Sequence, residues 1–218
     1  MSGAAVSGAS RPAPNTMRLP HQTRHRIERK PAQRASLCLY GVSDTAETQW
    51  VRLVLAEKHL EHARFEAVHP SRPPEDLVAL NPALRLPTLV DRDAVVVSAP
   101  IIASYLDERF PHPPLMPPEP AQRARVRLLL DLLTGTVFPA LDQDETATLE
   151  PLLRDLTDLV APRQRLLGLD YHLADCAAAV WLSRLPPHPA GMTTEGQTRL
   201  SAYRRRLLAR PAVESVLT

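Results

Sequence analysis

The side chains in this 218-residue chain that could do chemistry are two thiols, a few imidazoles and a pair of loop hydroxyls. Cys38 and Cys176 stand far apart and match no redox or metal spacing, and the thiols suit a reducing, cytosolic compartment. Disulfide exchange needs thiols at the start of a helix, where the dipole lowers their pKa. The stretch opening the first helical pattern reads Ser43-Asp44-Thr45-Ala46 and holds none. Ser43 and Thr45 are placed there as helix caps. His172 has no companion ligand at zinc spacing, so no metal is expected. His112 sits in the run Phe110-Pro111-His112-Pro113-Pro114-Leu115-Met116. Prolines there would hold the imidazole and the Leu115 and Met116 side chains outward at low entropic cost, which suits protein recognition. The plainer alternative is a linker.

The elements that must position these residues follow from periodicity. Apolar residues are 44% of the chain and aromatics only 4%, so the core must be aliphatic. Twenty-three prolines against seven glycines imply rigid connections and frequent helix boundaries. A net charge of +2 argues neither for nor against nucleic acid, and no apolar run approaches the roughly 20 residues of a membrane span. Residues 1–35 carry no apolar periodicity and a basic cluster at Arg24, Arg26, Arg29 and Lys30, and read as a disordered extension or a basic arm.

Residues 36–40 read as a buried strand, with Cys38 and Tyr40 on one face and Leu37 and Leu39 on the other. A helix is expected over 47–59, with Trp50, Val51, Val54 and Leu55 inward, and a second strand over 65–68. A short helix ends at Leu80. Residues 88–90 and 94–97 form a hairpin, and Ser98 is the expected N-cap of a helix with Pro100 in its first turn. The order is that of a thioredoxin-like α/β domain, over residues 36–110. Six of the ten residues 111–120 are proline, which marks a stiff interdomain linker. Residues 121–218 read as an all-α bundle. Its expected helices are 121–133, a segment 149–167 broken by Pro151 and Pro162, a central buried helix 174–185 ended by Pro186 and Pro187, and 197–209 with Arg204, Arg205 and Arg206 solvated.

Asn81-Pro82, then Leu86-Pro87-Thr88-Leu89-Val90, a hairpin and Ile101-Ile102 resemble the second half of a glutathione-transferase N-terminal domain. The run from Tyr105 to Pro113 narrows the resemblance to the stringent starvation protein A branch, RNA-polymerase-associated regulators of bacteria. In the C-terminal half, residues 168–175 are similar to the superfamily's buried helix-start motif, with His172 where Ser or Thr is usual and Asp175 in a structural role.

The resemblance implies a glutathione site that this chain has largely lost. Ser43 and Thr45 occupy the loop where relatives place the group that stabilises the thiolate. Relatives carry a Glu/Gln-Ser pair at the hairpin-to-helix junction, and here it is Ser98-Ala99. Pro100 removes one further N–H donor. Each lost charge-assisted bond costs roughly 1.5–3 kcal/mol, and two remove about a hundredfold of affinity. Leu86, Pro87 (cis in the family) and Ser98 remain as a vestigial site. Pro111, His112 and Pro113 match the family segment that contacts the transcription machinery, with Arg123, Arg125 and Arg127 in support. The implied function is a non-enzymatic, homodimeric, cytoplasmic protein that binds RNA polymerase holoenzyme or a sigma factor, with neither a cofactor nor sequence-specific nucleic-acid contact. The alternatives are a transferase that conjugates glutathione to electrophiles through Ser43 or Thr45, and a dimerisation module for another partner.

Overall fold

A computed structural model describes residues 37–161, 165–186 and 193–217. The basic N-terminal stretch, Pro162 and Pro187 lie outside the described residues. The first half runs β1 (Cys38–Gly41), α1 (Ala46–Glu57), β2 (Arg64–Ala67), α2 (Glu75–Leu80), β3 (Thr88–Asp91), β4 (Ala94–Val97) and α3 (Ala99–Arg109). The sheet order is β2-β1-β3-β4, with β1 and β2 parallel and the other pairs antiparallel. This is the expected thioredoxin-like arrangement. β1 and β3, the inner strands, are buried along their whole length. The period-two alternation of β1 sends Leu37 and Leu39 into the main core and Cys38 and Tyr40 into a smaller cluster with Val68, Leu77 and Val90.

The second half is helical: α4 (Pro120–Leu132), α5 (Phe138–Asp142), α6 (Glu150–Leu159), α7 (Leu173–Ser183), α8 (Thr194–Leu208) and α9 (Pro211–Leu217). A π-helical turn over Leu133–Val137 joins α4 to α5. Pro139 follows in the first turn of α5, and its missing N–H cannot continue the α-helical ladder. Three expectations need correction. Pro151 does not break a helix over 149–167; it lies in the first turn of α6, where a missing N–H costs nothing. Beyond Leu159 the chain forms a two-residue ribbon, β5 (Val160–Ala161) against β6 (Arg165–Leu166), too short to show a period. Arg204 is half-buried rather than solvated, and donates to the carbonyls of Leu185 (2.7 Å) and Pro186 (2.7 Å) beyond the end of α7.

The two halves share one apolar core. Helix α1 is buried on several sides because it packs against α3, α5, α7 and α9. The Trp50 indole N–H donates to the Leu173 carbonyl at 3.2 Å, and its ring meets Phe138 edge to face at 6.0 Å. Arg210 makes a two-pronged bond to the Glu57 carboxylate (2.7 and 2.6 Å) and stacks 3.6 Å over the Tyr171 ring.

Candidate functional site

The register of the sheet gathers the sequence candidates at one end. Tyr40 pairs with Thr88 and Thr88 with Val97. The loop after Gly41, the cis bond Leu86-Pro87 and Ser98 therefore lie one step beyond the same row of the sheet. Gly41 is required there, because a Cβ would stand 2.6 Å from the Thr48 side chain of α1. Asn81 holds the proline loop from beneath, since its amide donates to the Arg85 carbonyl and the Thr88 hydroxyl, both at 2.9 Å.

The loop hydroxyls do not cap α1 as expected. Thr45 occupies the N-cap position, but its hydroxyl donates to the Val42 carbonyl (3.0 Å) and lies 2.8 Å from the Thr48 hydroxyl. The Ser43 hydroxyl has no hydrogen-bond partner among the described residues. The Tyr40 phenol donates to Asp76 at 2.7 Å, and burial followed by that carboxylate pushes it above the usual tyrosine range. It is a core group.

The first amide of α1 is satisfied instead by a residue that sequence reasoning missed. The Ala46 N–H donates to Asp142 Oδ1 at 2.9 Å, across the domain boundary. Arg184 completes the clasp, donating to the same Asp142 oxygen (3.0 Å), the Asp44 carbonyl (2.6 Å) and Gln49 Oε1 (2.9 Å). Asp44, Asp142 and Arg184 border a cleft of about 490 Å³ that Thr45 and Asp144 also line. Burial, and secondarily the Asp142 charge, pushes the Glu47 carboxyl upward. An arriving thiolate would thus meet a helix end already holding an internal carboxylate, with its one nearby guanidinium engaged.

At the hairpin-to-helix junction Ser98 holds the N-cap position, but its side chain makes no cap bond. Its backbone lies at φ 77°, a region that disfavours residues other than glycine. Ala99 is fully buried and Pro100 stands in the first turn, so the junction offers no polar side chain beyond Ser98.

The 111–120 segment is exposed at Pro111, His112, Pro113 and Pro114, and His112-Pro113 is a second cis bond. Leu115 and Met116 correct the expectation: they are 2% and 8% exposed and belong to the shared core. A proline-rich composition keeps the backbone out of regular structure without keeping apolar side chains out of the core. Arg123 reaches the Pro117 carbonyl at 3.4 Å, while Arg125 and Arg127 point to solvent.

At the start of α7, Asp175 accepts from the His172 backbone N–H (3.0 Å) and the Tyr203 hydroxyl (2.7 Å). The His172 ring and Asp175 face each other across a capping box, with the ring toward the Asp175 backbone N–H and Nδ1 3.0 Å from the carboxylate. Burial pushes His172 downward and Asp175 upward from their ordinary values. Among the described residues no cluster of His, Cys, Asp and Glu could hold a metal ion, and no helix is long and apolar enough to cross a membrane.

A family profile described as "Glutathione S-transferase, N-terminal domain" matches residues 39–114. A stringent starvation protein A homolog from Haemophilus influenzae is 34% identical over 189 residues, covering 82% of this chain and 89% of its own. One from Coxiella burnetii is 33% identical, covering 85% and 93%. Among solved structures, glutathione transferase Omega 3C from Trametes versicolor superposes with a TM-score of 0.69 at 24% identity, over 82% of this chain and 87% of that one, which shows the shared fold.

Proposed function

Because this chain belongs to the stringent starvation protein A family, built on a glutathione-transferase fold, we propose that it is a non-enzymatic transcription-associated regulator that binds RNA polymerase holoenzyme or its sigma factor. The contact surface is Pro111, His112 and Pro113. One observation carries this assignment: these residues are exposed while Leu115 and Met116, directly behind them, are buried in the core. The imidazole is thus presented on a fixed edge, and binding loses little entropy in ordering it. The occupied α1 N-terminus and the apolar junction at Ala99 favour a binding role over glutathione chemistry. Copurification of polymerase with wild type and His112→Ala tests it; the variant should recover markedly less.

A second copy of the chain completes the assembly in this proposal. Ile101 on α3 and Leu128 on α4, 58% and 73% exposed, are the most exposed large apolar side chains among the described residues. Covering them gives a dimer an apolar contact. Sedimentation at micromolar concentration should show twice the chain mass, and Leu128→Glu should shift it toward the monomer.

The transferase alternative rests on Ser43, whose unpartnered hydroxyl is the one loop group free to meet a thiolate. Turnover of a standard electrophile with glutathione, abolished by Ser43→Ala, would support it.

A further inference from the structure

The exposed prolines at 111, 113 and 114 have no N–H to donate, so the loop around His112 cannot anchor itself by a backbone ladder. It is anchored from beneath by a charge. Lys58, at the C-terminal end of α1, has a side chain with 0% exposure. Its ammonium has three hydrogens and meets three acceptors: Asp107 Oδ1 (2.5 Å), the Phe110 carbonyl (2.9 Å) and the Pro113 carbonyl (2.6 Å). The two carbonyls bracket Pro111 and His112. Asp107 Oδ1 also accepts the Leu115 N–H at 2.8 Å, and the Leu115 carbonyl accepts the Leu173 N–H at 2.9 Å. The loop is thereby pinned on both sides of His112, to α1 and α3 before it and to the start of α7 after it.

We propose that Lys58 and Asp107 are positioning residues for the Pro111, His112 and Pro113 contact surface, a buried ion pair whose role is to hold the loop in its binding geometry. The inference rests on the binding role given to that surface. A buried ammonium is tolerated only with its hydrogens satisfied, and the loop conformation shown supplies two of the three acceptors. Removing the cation leaves both carbonyls without this partner, so the loop loses the interaction that favours this one conformation. Affinity then falls because the loop must be ordered on binding. Arginine cannot substitute, since a planar fork does not fit a site built for a compact point charge.

The test uses the full chain with Lys58→Met, which keeps the aliphatic stem, and Asp107→Asn, which keeps shape and an acceptor for Leu115. Amide hydrogen exchange over residues 110–116, affinity for purified RNA polymerase holoenzyme and the circular-dichroism spectrum are read for each. Lys58→Met should speed exchange of the Leu115 amide at least tenfold and lower affinity as far as His112→Ala does, with the spectrum unchanged. Asp107→Asn should give a smaller change in the same direction, and it decides the matter if Lys58→Met does not fold. Unchanged exchange in the folded variants overturns the proposal, as does faster exchange with wild-type affinity. If wild type itself does not bind polymerase, the functional assignment fails, and the exchange result alone decides whether the pair positions the loop.

Discussion

Asp142 accepts the Ala46 backbone N–H at 2.9 Å, so the helix that opens behind the loop hydroxyls is capped by the other domain. The same carboxylate holds Arg184, which ties it to the Asp44 carbonyl and Gln49. One acidic side chain thus serves as cap, interdomain clasp and occupant of the position where a bound anion would gain most from the helix dipole.

Replacing it should cost what a lost cap costs. Asp142→Ala is expected to destabilise by about 1–2 kcal/mol, seen as a Tm lower by about 2–8 °C for a chain of this size. Asp142→Asn, which keeps an acceptor oxygen, should lose less than half as much. Equal losses in the two variants would show that charge rather than the hydrogen bond is what matters.

Glutathione should not bind usefully. Titration calorimetry with millimolar glutathione is expected to show no saturable heat. A micromolar dissociation constant would show that Ser98, Pro87 and the loop still form a working site.

Ser98 carries a positive φ without any side-chain bond in return. Backbone strain of this kind costs on the order of 1–3 kcal/mol, and glycine relieves it at some entropic cost. Ser98→Gly is expected to raise stability by about 1 kcal/mol in urea denaturation. A loss would mean that the serine side chain contributes packing beyond the conformational cost.

His172 predicts an acid-dependent weakness with a definite sign. Its folded pKa lies below the ordinary imidazole value because burial disfavours the cation. The unfolded chain therefore takes up the proton first as pH falls, so this contribution is fully present above about pH 6.5 and is lost below it. The buried Asp175, pushed upward by burial, acts in the opposite sense; replacing His172 removes a charge that holds Asp175 down, so its upward shift grows in the variant and adds to the same difference. His172→Ser should therefore gain stability relative to wild type between pH 7.5 and pH 5. A constant difference across that range would contradict the assignment of a buried neutral imidazole.

What could be read from the residues was local. Alternation placed Leu39 and Tyr40 on opposite faces of β1, and the apolar spacing of Trp50, Val51, Val54 and Leu55 found the buried helix. The Leu86-Pro87 strand mouth and the hairpin followed from turn chemistry and family resemblance. The missed features join residues distant in the chain. Nothing in the type of Asp142 names the Ala46 amide as its partner, and Lys58 looks like any solvated lysine at a helix end until α3 and the proline loop close over it. Leu115 and Met116 are buried against the expectation from composition, because prolines govern the backbone, whereas burial is decided by the apolar side chains between them. In α9 and the β5–β6 ribbon the elements are too short for a period to show.

The most direct measurement is the yield of RNA polymerase holoenzyme copurifying with the tagged chain, compared between wild type and His112→Ala of equal Tm. The expected result is polymerase with wild type and a several-fold smaller yield with the variant. Absence of polymerase from both would contradict a role in binding it, and equal yields would remove His112 and its proline neighbours as the contact surface.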